Sequence, residues 1–180
     1  MMRGKGQSAP RHFLEIKDLP ADTLNALLAQ AARLKASRGE KTPFLEGAQL
    51  AMVFEKNSTR TRISFEVAMN ELGGHALFLT RNDLQLGRGE PVSDTAKVMS
   101  RYVDAIMIRC LKHETLLEMA KHATVPVING LTDRSHPCQI MADILTFEER
   151  KGSIKDRKVA WIGDGNNVAN SWVQAAARFG

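Results

Sequence analysis

Short apolar runs alternate with helix-patterned runs along most of this 180-residue chain, and that alternation constrains the fold more than any other feature. Ala48 to Glu55, His75 to Thr80, Ala105 to Cys110 and Val125 to Asn129 are short and rich in apolar residues, as buried strands are. Between them the chain predicts helices: Ile63 to Leu72, stopped by Gly73-Gly74; a run carrying Ala96, Met99 and Tyr102 behind a Ser93 cap; and Glu114 to Ala123. A parallel pair needs a crossover long enough to hold a helix, so the alternation predicts an α/β fold, a parallel sheet flanked by helices on both faces. Ligands of such folds gather beyond the carboxyl ends of the strands. Two further helices frame the sheet. From Pro20 to Arg38, Leu24, Leu27, Leu28, Ala31 and Leu34 recur at helical spacing with Gly39 just beyond, and Pro137 opens a run with Ile140, Met141, Ile144 and Leu145.

The polar, Gly-containing stretch from Arg150 to Arg157 reads as a domain boundary. After it come a predicted strand, Lys158 to Ile162, a turn at Gly163-Asp164-Gly165-Asn166-Asn167, and a helix from Val168 to Arg178. One strand and one helix cannot close a core, so they read as the start of an incomplete second α/β domain. The expected organisation is a flexible leader over residues 1–12, a first domain over 13–150, and a linker with a truncated second-domain start over 151–180.

Composition narrows the partners. The 43% hydrophobic content is spread over short runs, none long enough to span a bilayer, and the basic leader lacks an apolar secretion core. A net charge of +5 suits an acidic small molecule, whereas 6% aromatic content without RNP-like or zinc-finger patterning argues against nucleic acid. Two cysteines are too few for a disulfide scaffold, which points to a cytoplasmic setting.

Ser58-Thr59-Arg60-Thr61-Arg62 stands where the first strand hands over to a helix. Hydroxyls there can cap free N–H groups, and the helix dipole with two guanidinium groups places positive potential at the same point. That is an anion trap suited to phosphate; the plainer reading is a capped surface helix with solvated arginines. Arg109 near the end of the third strand, His136 ahead of Pro137, and Gln139 would face the same rim, although a snorkelling arginine and a loop histidine are the ordinary alternatives. Cys138 has no companion for a nucleophile's role and reads as a small buried thiol.

Phe54-Glu55-Lys56-Asn57-Ser58-Thr59-Arg60-Thr61-Arg62-Ile63-Ser64-Phe65-Glu66, taken with His136-Pro137-Cys138-Gln139, resembles the two donor-site signatures of the aspartate/ornithine carbamoyltransferase superfamily. Asp83-Leu84-Gln85-Leu86-Gly87, Asn129-Gly130-Leu131-Thr132-Asp133 and Trp161-Ile162-Gly163-Asp164-Gly165-Asn166-Asn167 resemble its ornithine branch; in the aspartate branch a lysine typically serves in the loop where Gln85 falls. The resemblance implies carbamoyl transfer from carbamoyl phosphate to the side-chain amine of L-ornithine, giving L-citrulline and phosphate, with no metal or organic cofactor. By matched positions, Ser58, Thr59, Arg60 and Thr61 would hold the phosphate, Arg109 would bridge phosphate and carbonyl oxygen, and His136 would face that oxygen. Gln139 would accept from the carbamoyl NH2, Gln85 would reach a neighbouring subunit's site in a homotrimer, and Asn167 would meet the amino-acid end of ornithine. Family members continue through a full second domain carrying most of the ornithine half-site, so residues 1–180 alone are expected to turn over negligibly. Two other readings share some of these residues. One is a sister carbamoyltransferase for putrescine, another ornithine derivative or aspartate. The other is a nucleotide-binding module built on Gly163-x-Gly165, which has Val168 where a dinucleotide turn has its third glycine.

Overall fold

The computed structural model describes residues 10–39, 43–84 and 89–180. A 3-10 turn at Ile16–Asp18 leads into α1 (Ala21–Ala36); then follow β1 (Gln49–Phe54), α2 (Thr59–Glu71), β2 (His75–Thr80), α3 (Val92–Met99), β3 (Ala105–Arg109), α4 (His113–His122), β4 (Val127–Leu131), α5 (Pro137–Lys151) and α6 (Asn167–Phe179). The helix signals mostly act where the sequence places them. Ser58 is the N-cap of α2 and accepts from Thr61 N, Gly73 takes the left-handed conformation (φ 83°) just past its end, and Pro137 occupies the first turn of α5. Ser93 does not cap α3: the helix begins one residue earlier behind Pro91, whose fixed φ of −63° serves as the entry.

The four strands are all parallel, in the order β2-β1-β3-β4. Period-2 alternation explains how one short sequence serves two cores. Leu50, Met52 and Phe54 of β1 pack with Met69 and Phe65 of α2, while Ala51 and Val53 pack with Ala96, Met99, Leu116 and Met119 of α3 and α4. Every residue of β1 after Gln49 is buried, and burial of a large side chain such as Phe54 contributes about 1.5–3 kcal/mol. β4 runs two residues later than expected, through Gly130 and Leu131. There its register with β3 shifts between Ile108 and Arg109, and a side chain on Gly130 would collide with Met107 Sδ and press on Ile108 O at 3.2 Å. The outer edge of β4 is covered rather than open. Phe13 bridges Ile128, and His12 Nδ1 accepts from Val127 N at 3.0 Å.

A third cluster joins Leu24 and Leu28 of α1, Ile140 and Ile144 of α5, Ile154, and Ala175 of α6. Here one expectation fails. Residues 158–162 form no strand; they run irregularly along the surface, with Val159 55%, Trp161 44% and Ile162 96% exposed. A strand is defined by its ladder, and no described strand lies beside this stretch to supply one. Its apolar side chains instead help α5 and α6 line an open groove of about 350 Å³, between Ile144, Ile154, Trp161, Trp172 and Phe179.

Candidate functional site

Strand order locates the site. The connection after β1 turns toward β2 and the one after β3 turns the other way, toward β4, so their loops part at the carboxyl ends of these two neighbouring strands. That divergence is the topological switch point where open α/β sheets offer a crevice. Ser58 to Thr61 follow β1, and Arg109 ends β3 opposite Phe54 in register.

The first turn of α2 organises its own hydroxyls. Ser58 Oγ donates to Thr61 Oγ1 at 3.0 Å while accepting from Thr61 N at 3.4 Å. Arg109 Nη1 reaches across the crevice to Thr61 Oγ1 at 3.4 Å, a long and weak bond. Arg109 Nε is buried with no partner among the described residues, and burial lowers the guanidinium's pKa from its usual value. His136 stands on the same side. Its Nδ1 is likewise buried and unpartnered among the described residues, and burial, reinforced by the positive charge of Arg109, pushes its pKa down to about 4. The imidazole is therefore neutral near pH 7 and keeps one N–H to donate.

Other predicted residues sit at the margins. Thr59 and Arg60 are exposed, and Arg60 has no side-chain partner among the described residues. Gln139 is exposed on the first turn of α5 and donates through Nε2 to Asp143 at 2.8 Å, which leaves its amide oxygen to accept. Asn167 opens α6, and its Nδ2 is committed to Thr132 O at 2.7 Å. Gln85 lies outside the described residues. Arg62 does not join the rim: its guanidinium stacks 3.8 Å from the Phe78 ring centroid and pairs with Glu66 at 3.3 Å, one turn along the helix. The positive potential at the helix start thus comes from Arg60, Arg109 and the dipole. Burial pushes the Cys138 thiol up to about 12, and its Sγ meets Asn129 O at 3.4 Å, so it is no nucleophile at neutral pH.

Two supporting residues were not singled out from the sequence. Glu55 N donates to Arg109 O at 2.9 Å and Glu55 Oε2 accepts from Leu111 N at 2.8 Å, so this one residue brackets the backbone that carries Arg109. Thr132 Oγ1 meets His113 Nδ1 at 2.9 Å and accepts from Ser135 N at 3.2 Å, folding the loop before His136. Glu55 had a signal in its place directly after the first strand; Thr132 lies in the stretch Asn129 to Asp133 that resembles the ornithine branch, but its partner His113 is 19 residues away and is brought to it by the crossover. Among the described residues no group of three or more His, Cys, Asp or Glu could hold a metal ion, and no helix is long and apolar enough to cross a membrane.

Fold and rim together define a parallel α/β protein with hydroxyl, guanidinium and neutral imidazole donors at its switch point. The chain belongs to the aspartate/ornithine carbamoyltransferase family: the family's carbamoyl-P binding domain matches residues 11–149. It is 58% identical over 173 residues to an ornithine carbamoyltransferase of Bradyrhizobium diazoefficiens, an alignment covering 95% of this chain and 56% of that protein. An ornithine carbamoyltransferase of Brucella ovis is also 58% identical, over 94% of this chain and 55% of its own length. Among solved structures, the ornithine carbamoyltransferase of Pyrococcus furiosus superposes with a TM-score of 0.92 at 53% identity, over 96% of this chain and 56% of that one. The anabolic enzyme of Campylobacter jejuni gives 0.88 at 48% identity, over 94% and 55%. The chain spans little more than half the length of these relatives.

Proposed function

We propose that this chain carries the donor half of an ornithine carbamoyltransferase, transferring the carbamoyl group of carbamoyl phosphate to the side-chain amine of L-ornithine. The observation that carries the reading is the Arg109–Thr61 contact across the β1/β3 switch point, beside a neutral His136. Phosphate oxygens would take the Ser58, Thr59 and Thr61 hydroxyls, the α2 amides and Arg60, and would displace the long Arg109–Thr61 bond in favour of charge-assisted ones. The neutral amine attacks the carbonyl carbon; a C–N bond forms and the carbonyl oxygen takes up negative charge. Arg109 and the His136 N–H would stabilise that oxyanion as preorganised donors. As the oxyanion collapses, the bond from the carbonyl carbon to the bridging oxygen breaks, phosphate leaves with the electron pair, and the amine's proton departs with it or to solvent. The Gln139 amide oxygen would accept from the carbamoyl NH2 and so reject acetyl phosphate, whose methyl cannot satisfy it.

The same reading assigns residues 13–150 to the carbamoyl phosphate domain, 151–180 to the linker and start of the ornithine domain, Asn167 to the amino-acid end of ornithine, and Gln85 to a neighbouring subunit's site in a homotrimer. It places the enzyme in the cytoplasm and in arginine metabolism, in biosynthesis or a urea-type cycle. The nucleotide-module reading loses support, since Gly163-x-Gly165 does not follow a strand. The test is carbamoyl transfer by the product of the complete reading frame, with ornithine, putrescine and aspartate offered separately. Citrulline formed selectively from ornithine is the expected result. Transfer only to another amine overturns the branch, and transfer to none overturns the reading.

A further inference from the structure

Helix α6 meets the loop between β4 and α5 through its polar side. Asn167 Nδ2 donates to Thr132 O at 2.7 Å, Asn170 Nδ2 to Arg134 O at 2.8 Å, and Ser171 Oγ accepts from His136 N at 2.8 Å. One turn further, Gln174 Nε2 donates to Glu15 Oε1 at 2.9 Å. These positions recur at three and four residues and form one stripe. An amphipathic helix ordinarily turns such a stripe to solvent; here Ser171 and Gln174 are buried, and the stripe grips alternate residues of the loop that ends at His136.

Ser171 holds the most consequential point of that loop. It is fully buried, its hydroxyl donates to Asn167 O at 2.9 Å within the helix, and its oxygen takes the His136 N–H. His136 is the N-cap of α5, with φ −137° and ψ 69°, and its side chain caps nothing. Because ring atom Nδ1 is buried without a partner among the described residues, no hydrogen bond there orients the imidazole. The ring's place is then set by where its main chain is fastened. We infer that Ser171 is a positioning residue: by fastening the main chain of His136 to α6, it sets the imidazole against Arg109 and carries the placement of α6 into the donor site. Asn167 and Ser171 share one hydrogen-bonded turn, so a displacement at the acceptor end of α6 is transmitted to the group that faces the carbonyl oxygen. The inference rests on the reading of His136 as an oxyanion donor.

The experiment uses the protein from the complete reading frame, with Ser171→Ala, Ser171→Thr and Asn170→Ala. Asn170→Ala removes a bond of the same kind from the exposed edge of the stripe. The readouts are the NMR titration of the His136 ring, assigned by its loss in His136→Gln, and kcat and KM for citrulline formation. Ser171→Ala is expected to move the His136 midpoint upward from about 4 as the ring gains solvent, and to lower kcat about tenfold with KM for carbamoyl phosphate nearly unchanged. Ser171→Thr, which keeps the acceptor, restores both, and Asn170→Ala changes neither. A folded Ser171→Ala with wild-type ring titration and kcat overturns the inference, as does the same change from Asn170→Ala. Should the Ala variant not fold, Ser171→Cys, a weaker acceptor of similar size, is read the same way. A wild-type protein that forms no citrulline defeats the carbamoyl-transfer reading, while the ring titration still decides on Ser171.

Discussion

The two ends of the candidate site are built on different principles. At Ser58 to Thr61 the polar groups ride on the first turn of a helix, Thr59 and Arg60 face solvent, and the hydroxyls partner one another. At Arg109 and His136 the groups come from a strand end and a helix cap, are half-buried, and each keeps a buried nitrogen without a partner among the described residues. An exposed, self-satisfied end recognises charge cheaply, because water screens it and little desolvation is lost on binding. Polar atoms without a protein partner are less well satisfied than solvated ones, and on the proposed function charge developing beside them would supply the missing partner. On the proposed function, recognition and transition-state stabilisation would fall to opposite ends of one crevice.

Substitutions should separate the two ends. The largest effect is expected from Arg109→Lys, which keeps the charge and loses the fork. Removing a preorganised donor costs about 10²–10³-fold in kcat, and Arg109, which on the proposed function would be shared by phosphate and carbonyl oxygen, belongs at the upper end. Steady-state citrulline kinetics with unchanged thermal stability would show it. Arg60→Ala is expected to lower kcat about a hundredfold while leaving the fold intact. Unchanged kinetics would return Arg60 to a solvated surface role and make the exposed end structural only.

Stability against pH probes the buried end alone. The folded-state pKa of His136 lies below the ordinary 6.5, so between pH 6.5 and about 4 the unfolded chain binds the proton and the folded one does not. Stability from this group is therefore present above pH 6.5 and is lost as pH falls toward 4, at up to about 1.4 kcal/mol per unit. Denaturant midpoints measured across that window should fall with acidification, and less steeply in His136→Gln. The smallest effect is expected at Arg62. Arg62→Gln removes a half-exposed ion pair with Glu66 and the stacking on Phe78, and should cost roughly 0.5–1 kcal/mol of stability with kcat within about twofold of wild type.

The same contrast explains what could be read from the sequence. The apolar run from Leu50 to Phe54, the Ser58 cap, the Gly73 stop and Pro137 at the start of α5 are local signals, and local physics fulfils them. The order β2-β1-β3-β4 is not local, so the sequence could gather Arg109 and Ser58 at one rim without revealing that they flank the switch point. Arg62 leaves the rim because a guanidinium four residues before a glutamate and beside an aromatic strand residue has nearer partners. The 158–162 stretch has the composition of a strand, yet a strand takes its existence from a neighbour. Ser171 has the spacing of a solvated helix position and no sign in the sequence that His136 N would meet it.

A crystal structure of the complete protein with carbamoyl phosphate bound would decide where the donor sits. Phosphate oxygens are expected within hydrogen-bond reach of Ser58, Thr59, Arg60 and Thr61, with the carbonyl oxygen between Arg109 and His136. Ligand seated elsewhere, for instance at the Gly163 turn, or a carbonyl oxygen directed away from Arg109 and His136, would contradict the proposed function.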